Sequence, residues 1–213
     1  MWNFIHDRRS EIAFNTYQHA LLVFYAVVIA TILAVVIAVV ITRIRGLDVA
    51  ANQVSAIALT IPSFALVGLL LPVVHLGPTI GLVAVAFYAV WPILRNAVVG
   101  LQGVDPILLE SARGMGMSEA TVLWRVRLPL AWPVILAGIR ISTQMSMGIA
   151  AIASYALGPG LGTYIFTGLS KGGVAANGLN YTVVAIVGIV VVALIADGLL
   201  VLLGRLTVSK GIR

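Results

Sequence analysis

Cysteine is absent from all 213 residues, which excludes disulfides and thiolate metal sites and leaves the redox compartment unmarked. Charge is scarce as well. Asp, Glu, Lys and Arg make up 9% of the chain against 61% hydrophobic residues, a balance that excludes an ordinary soluble domain. No Gly-x-x-x-x-Gly-Lys-Ser/Thr phosphate loop occurs, so ATP is not bound in that manner. His6, His19 and His75 have no metal-ligand spacing. No Ser-His-Asp set or carboxylate pair stands out either, so enzymatic chemistry has no foothold. No internal repeat is evident. The net charge of +6 would suggest nucleic acid in a soluble protein, but here it follows from the loops of a membrane protein.

What the chain does have is long apolar runs. A helix needs about 20 apolar residues to cross a bilayer, and five runs of that length lie at 19–41, 54–74, 79–101, 133–155 and 181–204. They predict one all-α polytopic bundle over 1–213. The second and third spans are joined by a tight turn, His75-Leu76-Gly77-Pro78. The N-terminal segment does not read as a signal peptide. Its apolar run is too long, Asp7 and Glu11 accompany the arginines, and no small-residue cleavage site follows. The glycine-rich stretch 158–180 predicts an external loop with a short helix at 163–169.

Basic residues orient the bundle. Arg43, Arg45, Arg113, Arg125, Arg127, Arg140, Arg205, Lys210 and Arg213 fall on one side, against Arg8, Arg9 and Lys171 on the other. This predicts an external N-terminus and a cytoplasmic C-terminus, with Arg95 inside the third span. Asp197 lies inside the fifth. A charge in hydrocarbon needs a partner, so Asp197 is expected to pair with Arg95, or either of them with Arg140. Gly138, Ser142 and Gly148 are expected to permit close helix contact.

Between the third and fourth spans lies a polar insert, 102–132. Asp105-Pro106 has the form of an N-cap followed by proline at the first helical position. Gly114 and Gly116 are expected to break that helix. Ser118 should cap a second helix through about residue 126, which Pro129 should halt. Two short helices joined by a glycine turn make a projection suited to a groove on a partner.

The residues of the insert resemble a known signature. Glu-Ala-Ala, three residues, Gly, nine residues, Ile-x-Leu-Pro marks the permease subunits of binding-protein-dependent ABC importers. Here it reads Glu110-Ser111-Ala112, then Gly116, then Val126-Arg127-Leu128-Pro129. Ser111 and Val126 are mild departures. The resemblance extends over about 20–205. It narrows to osmoprotectant permeases through Thr60-Ile61-Pro62-Ser63, Pro92-Ile93-Leu94-Arg95-Asn96 and the run from Leu128-Pro129 to Ile139-Arg140. Gly158-Pro159-Gly160 departs from the Gly-Ala-Gly of many relatives.

That resemblance implies a multi-pass protein of a bacterial or archaeal inner membrane. It also implies ATP-binding cassette ATPase subunits that carry the ATP and Mg, a second permease and an external substrate-binding protein. No cofactor is expected on this chain and no nucleic acid as partner. The cargo implied is glycine betaine, choline, carnitine or proline betaine. An amino-acid or methionine permease is the alternative inside the class, and an ion-coupled carrier or a membrane scaffold lies outside it. Glu110, Ser111, Ala112, Arg113, Gly114, Gly116, Met117, Leu128 and Pro129 are the expected coupling residues. Glu110 would fix the helix or pair with a basic group, while Ala112 and Gly116 would allow close backbone approach. Pro62 and Pro92 are expected to kink their spans, and Tyr88 and Trp91, three residues apart on one helix face, to line the path.

Overall fold

A computed structural model describes residues 1–44, 46–75, 77–154, 159–172 and 177–208. Arg45, Lys210 and Arg213, used above for orientation, lie outside the described residues, as do Tyr155, Gly158 and residues 173–176 of the expected external loop. Among the described residues the chain is all helix. The elements are α1 (Trp2–Asp7), α2 (Arg9–Ile41), α3 (Leu47–Thr60), α4 (Ser63–Val74), α5 (Pro78–Gln102), α6 (Pro106–Gly114), α7 (Glu119–Val122), a π segment (Leu123–Arg127), α8 (Leu128–Ala153), α9 (Gly162–Ser170) and α10 (Gly178–Thr207). Among the described residues four rods are long and apolar enough to span, α2, α5, the continuous Glu119–Ala153 and α10, and the bent pair α3–α4 passes together as a fifth span.

The second expected span is not one helix. α3 and α4 meet at 93°. Pro62 has no N–H to donate and forces the residue before it out of the helical region; Ile61 is extended at φ −62°, ψ 124°. Its carbonyl accepts instead from the Tyr88 hydroxyl at 2.5 Å. Pro92 behaves differently, because α5 runs unbroken through it. There the helix packs so closely on α8 that a Cβ on Gly138 would lie 2.6 Å from Asn96 Cβ and 3.1 Å from the Pro92 carbonyl. Asn96 donates to that same carbonyl at 2.8 Å.

α5 is the hub of the bundle. On one side α2 offers Ala26, Ala30, Ala34 and Ala38, one small residue per turn and each fully buried. On the other side lies α8, where Ser142 donates to the Ala89 carbonyl at 2.8 Å. Gly138 therefore permits close contact as expected, while Gly148 faces open space within this chain.

The end of the bundle opposite the insert is closed by α9, one residue longer at each end than expected. It is not a free loop: Gly162 sits against the Ala151 carbonyl, and Gly168 against Thr182 and the Gly178 carbonyl. Gly160, at φ +120°, brings its backbone onto the buried His19, where a Cβ would lie 2.9 Å from Nδ1.

Pro129 does not halt the second insert helix. The ladder widens first, with the Leu128 amide donating to the Leu123 carbonyl across the π segment, and α8 then continues with the proline in its first turn.

Candidate coupling surface

The projection is built from the Leu101 end of α5 outward. A helix leaves its last carbonyls without intrahelical donors, and Arg127 Nε donates to the Leu101 carbonyl at 2.8 Å. That bond ties the base of the insert to the hub. Asp105 then caps α6, its Oδ1 accepting from the Ile107 amide at 2.9 Å, with Pro106 behind it.

α6 ends by a specific device. The Met117 amide donates to the Ala112 carbonyl at 3.2 Å and the Gly116 amide to the Arg113 carbonyl at 2.9 Å. Gly116 has φ +83°. This is the paired bonding of a Schellman ending, with Gly116 as its left-handed residue. Open space surrounds the position where its Cβ would stand, so within this chain the glycine answers to backbone geometry and not to close approach. Gly114 is the last residue of α6 and does not break it.

Ser118 caps α7 and shares a 2.9 Å hydroxyl bond with Thr121. Across the turn, Arg113 reaches Glu119 with Nε at 2.7 Å and Nη2 at 3.3 Å. The carboxylate raises the Arg113 guanidinium above its ordinary range, and the fork links α6 to α7 across the turn. Six residues separate the pair over a glycine turn, a spacing that no helical periodicity marks, and Glu119 was not among the expected coupling residues. Glu110 instead projects outward and makes no ion pair among the described residues.

The outer surface is apolar at its knobs. Ile107 is 69% exposed and Met115 72%, with Leu108 half-exposed beside the exposed Glu110 and Ser111. Ala112 is buried and anchors α6 to the base. Met117 is half-buried. Leu128 packs against the main core and Pro129 is exposed at the foot of α8, so both support the projection from below. An isolated apolar knob on a charged surface needs no explanation, but a cluster of them on a tethered projection makes this a candidate contact surface.

The residues expected on a path fall in two places. Tyr88 is buried, 3% exposed, in a cluster with Leu66, Val67, Ile80 and Ala84; it packs the α3–α4 elbow beside the exposed Pro62. Trp91 is half-buried, joined to Tyr88 through Phe87, whose ring stands 5.3 Å from Tyr88 and 5.6 Å from Trp91. Pro92 is buried on the α8 side.

Arg95 is exposed and does not meet Asp197. Asp197 of α10 is bound by Arg140 of α8, through Nε and Nη2 at 2.9 Å each. Gln144 adds a third bond at 3.1 Å. Arg140 therefore lies within a span and drops out of the cytoplasmic tally. The reason is packing: α8 lies against α10, while Arg95 sits on α5, which does not pack on α10.

Residues 45–208 match the binding-protein-dependent transport system inner membrane component family. The glycine betaine/carnitine/choline transport system permease protein OpuCB of Bacillus subtilis (strain 168) is 36% identical over 213 residues, covering 100% of this chain and 96% of the relative. The choline transport system permease protein OpuBB of the same organism is 39% identical over 168 residues, covering 78% of this chain and 77% of that one. The osmoprotectant import permease protein OsmW of Salmonella typhimurium is 35% identical over 212 residues, with coverage of 97% and 96%. Among solved structures, an inward-facing form of the MetNI methionine ABC transporter shares the fold, with TM-score 0.72 and 19% identity over 93% of this chain and 94% of that one. The chain belongs to the family of inner-membrane permease components of binding-protein-dependent ABC importers, and is a non-catalytic, multi-pass subunit.

Proposed function

We propose that this chain is the permease subunit of an ATP-driven importer of quaternary-ammonium osmoprotectants such as glycine betaine, choline, carnitine and proline betaine. Relatives named for three of those compounds match it across three quarters or more of its length. The methionine transporter shares the fold at an identity too low to speak for a substrate. ATP and Mg belong to ATPase subunits on the cytoplasmic side, and an external binding protein delivers the cargo to this chain and a second permease.

The observation that carries the coupling role is the exposed apolar face of α6, linked to α7 by Arg113–Glu119 and the Gly116 turn. Motion of a bound ATPase would pass along the stiff rod Glu119–Ala153 and through the Arg127–Leu101 tie to α5. Arg43, Arg113, Arg125, Arg127 and Arg205 at the end carrying the projection, against Arg8, Arg9 and Lys171 at the other, support a cytoplasmic projection and an external N-terminus.

The test is uptake of labelled glycine betaine, choline, carnitine and methionine by liposomes holding the complete complex with its binding protein. ATP-dependent uptake of at least one of the quaternary ammonium compounds, and none of methionine, is expected. Uptake of methionine alone would replace the substrate class.

A further inference from the structure

The Arg140–Gln144–Asp197 cluster stands where charge is costly. Asp197 is ten residues before the end of α10 at Thr207, about 15 Å along the helix, and so lies inside a span that must cross a hydrocarbon core about 30 Å thick. Yet the pair is not enclosed by its own chain: the side chains are 40% and 25% exposed, and Gln144 is exposed beside them. Lipid is a poor neighbour for such a flank, which calls for water, a polar ligand or a polar face of the second permease. A groove of 490 Å³ leads from Arg140 between α8 and α10 toward their cytoplasmic ends. Its walls are mostly apolar, with Pro133, Leu136, Leu200 and Val201 along the way and Arg205 farther out.

We propose that Arg140, Gln144 and Asp197 form an intramembrane station for the zwitterionic cargo, an inference that rests on the function proposed above. A betaine carries a carboxylate and a quaternary ammonium on one small molecule, the same two charges that the ion pair presents. Entering between the partners, its carboxylate takes the fork of Arg140 and its ammonium faces Asp197. Each protein charge exchanges one opposite charge for another, so neither is stranded in the membrane. Methyl groups on the ammonium have no proton to donate and suit the apolar walls of the groove. Once the cargo leaves, the guanidinium and carboxylate close on each other again. The pair thus holds the site charged but neutral overall when it is empty. Choline, which lacks a carboxylate, would face Asp197 without displacing Arg140 from it.

The test uses the complete complex in liposomes, with the binding protein saturated by glycine betaine or by choline, and with assembly checked by co-purification. Arg140→Gln is expected to slow betaine uptake about tenfold more than choline uptake, as loss of one charge-assisted bond predicts. Arg140→Gln/Asp197→Asn keeps a hydrogen-bonding bridge but no charge, and is expected to slow both. Equal loss of both substrates in Arg140→Gln, or wild-type rates in the double variant, would overturn the station. Failure of both variants to assemble would assign the pair to holding α10 in place and overturn it equally. Absence of uptake of either compound by the wild type would instead remove the proposed function, and the station with it.

Discussion

Replacing Gly116 by alanine adds one methyl group at a position with φ +83° and open space around it. Nothing is struck, so the whole effect is conformational. A non-glycine residue in the left-handed region costs about 1–2 kcal/mol, which shifts the balance between closed and opened turn by about 5–30-fold. Gly114 supplies the internal control. It also has open space, but it ends α6 without a positive φ. There the same methyl should be neutral, or stabilise by about 0.4–1 kcal/mol through the unfolded chain. Hydrogen exchange reads the difference directly. The amides of Gly116 and Met117, bonded to the carbonyls of Arg113 and Ala112, should exchange about 5–30-fold faster in Gly116→Ala and no faster in Gly114→Ala. Equal exchange in the two variants would refute the assignment of Gly116 to backbone geometry.

Other expectations follow from single contacts. Gly138→Val should lower the thermal midpoint in detergent by several degrees, since its Cβ alone would meet Asn96 and Pro92, and overpacking of this kind costs about 1–3 kcal/mol. Tyr88→Phe leaves the Ile61 carbonyl at the elbow without its donor, a loss of about 1–3 kcal/mol that thermal unfolding should register. Glu119→Gln should loosen α6 from α7 and weaken ATPase binding in pull-down titrations. The exchanged pair Arg113→Glu/Glu119→Arg should recover part of that loss, and recovery should fade as salt is raised.

Much of this architecture was legible in the chain because bilayer thickness and apolar run length are tied together. The runs at 19–41, 79–101 and 181–204 correspond to α2, α5 and α10. The insert was legible for a different reason: caps are local, and Asp105, Ser118 and Gly116 act on amides within a few residues of themselves. The two prolines of the second and third spans were not separable by sequence. Pro62 breaks its helix where the elbow is exposed and Tyr88 can receive the freed carbonyl, while Pro92 is clamped between the hub helix and Gly138 of α8. Such outcomes depend on neighbours distant in the chain. The same holds for Asp197, whose partner among two arginines is decided by which helix packs on α10, and for Arg113–Glu119, which crosses a turn. Pro129 was read by its usual effect, and the π segment that accommodates it has no periodic mark. Tyr88, expected on a path, is buried within this chain, with its hydroxyl turned to the elbow.

The absence of cysteine makes one measurement especially direct. A single Met115→Cys, at the most exposed knob of the projection, provides one thiol in the chain. In a complex that takes up glycine betaine on ATP, a short bifunctional thiol reagent, paired with single cysteines placed around the groove of the ATPase, should join the two subunits and stop uptake. An equally exposed control in the membrane face, Leu194→Cys, should not join the ATPase. Uptake that persists with the projection never within reach of the ATPase would contradict the claim that this surface couples ATP hydrolysis to transport.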